Sequence, residues 1–268
     1  MKVVIDSAIP YISGVLEPYF EVVYKAGAEI SNSDIADADA LIIRTRTRVC
    51  RELLEGTKVR FIATATIGCD HIDIEYCNKQ NIVVCSAPGC NARGVLQWVA
   101  AVLHHFIATT TPSPQEHTLG VVGVGNVGSL VSQYARHWGF RTMECDPPRQ
   151  RREGGEFYTI AEVAQQCDII TLHTPLLDST RKMINAETIA TMRDGVILLN
   201  FARAGLVDDD ALETALSSGK VKRYITDFPN DKTAGMAGVV AIPHLGASTE
   251  ESEDNCAVMA ALQMDDYL

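Results

Sequence analysis

Eleven short runs rich in Val, Ile and Leu recur along the chain, and the text between them alternates between helical patterns and turns. No other feature narrows the fold as far. The runs are KVVID, EVVY, ALIIR, VRFIATA and IVVCSA, then TLGVVGVG, FRTMECD, DIITLH, GVILLNF, RYITDF and VVAIPHL. A strand that is apolar on both faces needs cover on both faces, and parallel sheets obtain that cover from crossover helices. Helices are read at 11–20 (YISGVLEPYF), 50–56 (CRELLEG) and 72–81 (IDIEYCNKQN). Further helices are read at 126–138, 159–166, 186–193 and 209–218, with a closing helix from about Ser248. The fold class expected is α/β with doubly wound parallel sheets.

The chain is too regular for one sheet. From Asn91 to Thr109 the apolar residues Val95, Leu96, Trp98, Val99, Val102, Leu103, Phe106 and Ile107 follow helical spacing. That helix runs into TTTPSPQEH, the most turn-rich stretch of the sequence. Residues 1–90 therefore read as one α/β lobe and 91–249 as a second, with a cleft between them.

The second lobe opens on a Gly-x-Gly-x-x-Gly loop at Gly123, Gly125 and Gly128. It follows an apolar strand and enters a helix, so the helix amides of Asn126, Val127 and their neighbours face an incoming pyrophosphate. Gly123 allows the tight turn, Gly125 the approach of phosphate, and Gly128 the close packing of helix on strand. The next strand ends at Asp146, at the spacing of a ribose-binding acid. A carboxylate there accepts from the ribose hydroxyls and repels a 2′-phosphate, so NAD is expected over NADP. Arg149, Arg151 and Arg152 just downstream moderate that preference.

Two later strand ends carry polar residues suited to chemistry. NFARAGLVD places Arg203, and AIPHLGAST places His244, where open α/β sheets bind their ligands. An Arg fork matches a carboxylate in a bidentate pair. A His takes the proton of an alcohol while hydride leaves the same carbon for nicotinamide. With NAD, these two fit interconversion of a 2-hydroxy acid and its 2-oxo acid. Alone, Arg203 reads by default as a surface loop Arg, and a cap of the following helix is the lesser reading of His244.

Composition excludes other classes. A net charge of −11 leaves no basic face for nucleic acid or an anionic membrane. No apolar run approaches the roughly 18 residues of a membrane span, and MKVVIDSAIPY lacks the form of a signal peptide. Eight Cys occur without a C-x-x-C pair, several of them inside strand-like runs. They read as buried free thiols of a reducing cytosol, so a cytoplasmic protein with no metal site is expected.

The order Gly-x-Gly-x-x-Gly, Asp146, HTPL, NFARAGLVD and PHLGAST resembles the D-isomer-specific 2-hydroxyacid dehydrogenases over nearly the whole chain. The resemblance implies a flavodoxin-like substrate domain first and a Rossmann NAD-binding domain behind it, with the last helix, 250–268, returning to the first. It implies Arg203 on the substrate carboxylate, His244 as acid/base, and Asp227 at the nicotinamide carboxamide. Thr174, Ala202 and Gly246 fall in the matching cofactor stretches. The family's His-orienting Glu has no counterpart in DFPNDKTAG, where Asp231 is the nearest carboxylate; it reads equally as a solvated loop acid. The family also implies a homodimer through the cofactor domain and helix 91–109.

Within the family the likeness divides. Residues 1–182 resemble the erythronate-4-phosphate branch in RTRT, TATIGCDHID, APGCNA and CDPPR. Residues 183–268 resemble the phosphoglycerate branch in YITDFPND and PHLGASTEESEDNCAVMA. The substrate stretches of the first branch match Thr45, Thr66, Ile67 and Gly68, and Arg44 is a candidate for a phosphate or for a solvated basic edge. A phosphorylated 2-hydroxy or 2-oxo acid is therefore the expected partner: 4-phospho-D-erythronate, with 3-phosphoglycerate as the alternative. A non-catalytic NAD-sensing module is the reading of another class, since it would keep the same loop.

Overall fold

The computed structural model describes residues 1–109, 113–245 and 248–267. The chain divides into two compact units, Met1–Asn91 with Ser248–Leu268, and Ala92–Ala247.

In the first unit the strands are β1 (Lys2–Asp6), β2 (Glu21–Lys25), β3 (Ala40–Ile43), β4 (Phe61–Thr64) and β5 (Val83–Cys85). Short helices α1 (Asn32–Ile35), α2 (Arg51–Leu54) and α3 (Ile74–Lys79) join them. All pairings are parallel, in the order β2-β1-β3-β4-β5, the flavodoxin-like arrangement. Val3, Val4, Ile5, Leu41, Ile42 and Ile62 are wholly buried, because both faces of the central strands are covered. The helix read at 11–20 does not form. That segment is a succession of turns, with Tyr11 at φ 61° and Gly14 at φ 86°. Pro10 and Pro18 break the amide ladder, and their apolar neighbours Ile12 and Leu16 are buried from a turn instead.

The second unit begins with α4 (Ala92–Thr109). Its strands are β6 (Thr118–Val122), β7 (Arg141–Cys145), β8 (Ile169–Leu172), β9 (Val196–Asn200), β10 (Val221–Thr226) and β11 (Val239–Ala241). Between them run α5 (Asn126–Trp138), α6 (Pro147–Glu153), α7 (Ile160–Gln166), α8 (Ala186–Thr191) and α9 (Asp209–Ser218). The sheet is wholly parallel in the order β11-β10-β9-β8-β6-β7. Past β7 the ladder continues as one backbone bond, Tyr158 N–H to Glu144 C=O at 2.8 Å, in the place of a further Rossmann strand. Strand order reverses at β6, which puts the ligand-binding crevice of such a sheet at the ends of β6 and β8. Helix α6 escaped the sequence reading although its signals are present: Asp146 caps it by accepting from Arg149 N–H at 2.9 Å, and Pro stands at its start.

The last helix, α10 (Glu250–Tyr267), packs on the first unit. Cys256, Ala257, Ala260, Ala261 and Met264 are buried in the core that also holds Ile5, Ile42 and Phe61. Gln263 donates to the Ser86 carbonyl at 2.6 Å, and Tyr267 stacks on Phe61 with ring centroids 4.8 Å apart. Cys256 is bonded to Cys90 in a disulfide that spans 166 residues. This corrects the reading of all eight cysteines as free thiols: six are free, and two meet because α10 returns to the 87–90 loop. Spacing along the chain carries no trace of that encounter. Among the described residues no helix is long and apolar enough to cross a membrane.

Candidate active site

At the end of β6 the chain turns through Gly123 at φ 88°, a backbone state that favours glycine. A Cβ there would meet the His173 carbonyl at 2.7 Å and Thr174 Cγ2 at 2.8 Å. At Gly128 it would lie 1.9 Å from the Gly123 carbonyl oxygen, so helix α5 can approach the turn only without a side chain there. Gly125 differs: nothing lies within 4 Å of its missing Cβ, and as N-cap of α5 it makes no side-chain cap bond. Two glycines serve packing and the third leaves an open face before the unsatisfied amides of Asn126 and Val127. A pyrophosphate fits that bare-backbone cradle.

The cradle is held from behind by the β7 end. Asp146 accepts from Val124 N–H at 2.8 Å, while Arg149 Nη1 donates to the Val124 carbonyl at 2.7 Å and lies 3.0 Å from Ser129 Oγ. Arg149 is also paired with Glu153 at 2.7 Å, and Arg152 reaches the same carboxylate. Two of the three downstream arginines are thus already engaged with Glu153. Thr174, half-buried after β8, sits against Gly123. His173 beside it is hydrogen-bonded to Thr171 at 2.9 Å, and burial pushes its pKa down to about 4.

Three neighbouring strands deliver the polar residues. The turn after β9 presents Ala202 and Arg203, with Arg203 Nη1 on the Ala202 carbonyl at 2.8 Å. Strand β10 leads to Asp227, which is 2 % exposed and leaves Oδ1 without a hydrogen-bond partner among the described residues. Burial raises its pKa to about 6, against the opposing pull of Arg203. His244 follows β11. The next residue, Phe228, draws these together: its ring centroid lies 4.1 Å from that of His244 and 5.4 Å from Arg203 Cζ. Burial first, and the Arg203 charge second, hold His244 below the ordinary imidazole range.

Asp231 is exposed on the turn before Thr233, and the ring and charge acting on His244 are those of Phe228 and Arg203. The expected Asp231–His244 pairing is not among the contacts made. Gly246 lies outside the described residues. The sequence reading also passed over Phe228, Asn200 and Tyr224. Asn200 is wholly buried and accepts from Ala202 N–H at 3.2 Å, and only the register of β9 against β10 reveals its neighbours.

In the first unit, the candidate substrate residues cluster after β3 and β4. Thr45 is exposed, and Ile67 is exposed on the following loop. Thr66 Oγ1 bonds the Thr64 hydroxyl at 2.7 Å and the Gly68 carbonyl at 3.1 Å, and Thr64 also meets His71 Nε2 at 3.1 Å. Arg44 donates to the Ala8 carbonyl at 3.0 Å and pairs with Glu253 at 3.5 Å, so it braces α10 against the β3 end.

Residues 93–246 match the profile of the D-isomer specific 2-hydroxyacid dehydrogenase NAD binding domain. The chain belongs to the D-isomer-specific 2-hydroxyacid dehydrogenases. It is 40% identical to an erythronate-4-phosphate dehydrogenase of Bacteroides thetaiotaomicron, over 97% of this chain and 78% of that one. The same identity holds for an enzyme of that name from Ectopseudomonas mendocina, over 85% of this chain and 60% of the other. Among solved structures, NAD+-bound 3-phosphoglycerate dehydrogenase of Entamoeba histolytica superimposes with a TM-score of 0.85 at 30% identity. That match covers 100% of this chain and 95% of the other. As an NAD-dependent dehydrogenase, the chain has in the glycine cradle and Asp146 a site whose chemistry suits its cofactor.

Proposed function

We propose that this dehydrogenase oxidises 4-phospho-D-erythronate at its 2-hydroxyl, with Arg203 and His244 as the residues that act on it. The observation that carries the reading is the Arg203–Phe228–His244 group, set beside Asp227 on the same carboxyl edge of the sheet as the glycine cradle. Arg203 holds the carboxylate through its fork. His244, kept neutral by burial and by Arg203, takes the hydroxyl proton. Bound NAD supplies the acceptor for the hydride from the same carbon. Asp227 faces the cofactor's amide end, with an unpaired oxygen to offer it. Thr45, Thr66, Ile67, Gly68 and Arg44 are the first unit's contribution to substrate recognition, and Met1–Asn91 with α10 is its substrate domain.

Identity favours the erythronate branch, at 40% across most of the chain. The phosphoglycerate alternative is supported by the TM-score of 0.85 at 30% identity. Formation of NADH with each acid, side by side, separates them. We expect the higher kcat/KM with 4-phosphoerythronate; a preference for 3-phosphoglycerate would reverse the assignment. A homodimer through the cofactor domain accompanies this reading. A recess of about 270 Å³ opens beside α4 at the amino-terminal ends of β8, β9 and β10, lined in part by Val102, Phe106, Ile225 and Val240. Sedimentation of the purified chain as a monomer would remove it. A cytoplasmic location, where NAD is at hand, accompanies this reading.

A further inference from the structure

We propose that Tyr224 is a positioning residue of this site: its hydroxyl ties the turn that presents Arg203 to the strand end that presents Asp227 and Phe228. The proposal rests on the reading of Arg203 as the carboxylate clamp. Asn200 closes β9 and is wholly buried; its Nδ2 donates to the Arg203 carbonyl at 2.9 Å and to the Tyr224 hydroxyl at 2.9 Å. Its Oδ1 takes the Ala202 N–H. Tyr224 lies on the adjacent strand β10, is 2 % exposed, and has the Thr226 side chain near its hydroxyl. Thr226 Oγ1 in turn accepts from Phe228 N–H at 3.1 Å.

Hydrogen bonds therefore run from the Arg203 carbonyl through Asn200 to Tyr224 on β10, and Thr226, two residues further along that strand, holds the Phe228 amide. The Phe228 ring returns to the Arg203 guanidinium. A Phe at 224 would fill the same core volume, whereas a buried hydroxyl is tolerated only when its bonds are made. What the phenol adds is thus the link between the end of β9 and β10, and a buried hydrogen bond of this kind restricts the arrangement of the groups it joins.

Tyr224→Phe removes the link and keeps the ring. We expect KM for the hydroxy acid to rise roughly three- to tenfold, the loss of one buried hydrogen bond, with a smaller change in kcat and unchanged NADH affinity. We also expect the ¹³C-imidazole titration of His244, assigned by its loss in His244→Gln, to move up toward the unperturbed value as Arg203 withdraws. Thr226→Val releases the Phe228 amide further along the same strand and should move the same readouts in the same direction. Variants that melt at lower temperature while KM, NADH affinity and the His244 titration stay at wild-type values would reduce Tyr224 to a structural residue and overturn the proposal. If the wild-type chain turns over neither acid, the functional reading fails, and the His244 titration in the variants still decides the role of Tyr224.

Discussion

His244 has no carboxylate among the groups that shift it; what surrounds the ring is an aromatic face and a guanidinium. Burial and the Arg203 charge keep it neutral, so the free enzyme carries a ready base rather than a ready acid. The acid limb of oxidative kcat/KM should therefore lie below the ordinary imidazole range, while reduction, which needs the imidazolium, should rise over that lower range. An oxidative acid limb above pH 6.5 in the pH–rate profile would contradict this. Asp227 behaves in the opposite sense to a paired carboxylate. Its folded-state pKa, about 6, lies above the unfolded value, so the folded protein binds the extra proton between roughly pH 4 and 6. Its contribution to stability is fully present below that window and is lost as pH rises through 6. Asp227→Asn should therefore raise stability at pH 8 by on the order of 1–2 kcal/mol and leave it unchanged near pH 4, read by urea titration at both pH values. Arg203 and His244 were legible in the sequence because each stands polar at the end of an apolar run. Asn200 and Tyr224 were not: in sequence they are ordinary strand residues, and their meaning arises from the register of Leu198 on Tyr224 and Asn200 on Thr226.

At the scale of elements, all eleven strands were visible, since period and β-branching announce a buried strand without help from the rest of the chain. Helices were less secure. Segment 11–20 has helical composition but contains Pro18 and follows directly on Pro10, and α6 hid behind a charged text with no apolar stripe to mark it. The attachment of α10 was the least legible. Its buried residues are mostly small, and its disulfide partner lies 166 residues away. Closing so long a loop restricts the unfolded chain strongly, and Cys256→Ser should cost about 2–5 kcal/mol. Melts with and without reductant test this: the wild type should fall to the level of the variant under reduction, and a melting temperature indifferent to both would dismiss the bond.

The molecule as a whole is two parallel sheets made from one interrupted and one continuous stretch of chain. The glycine loop lies mid-sequence because a complete sheet precedes it. This first sheet is finished by the last helix: α10 fills the core around Ile5, Ile42 and Phe61. That order has a consequence during synthesis. The strands that leave the ribosome first cannot acquire their final cover until the whole second unit has been translated, a delay on the order of ten seconds at ordinary elongation rates. Through that interval the α10-facing surface of the first sheet is exposed apolar strand, the kind of surface chaperones hold, while the second unit, contiguous in sequence, can fold as it emerges. The part made first is the part completed last.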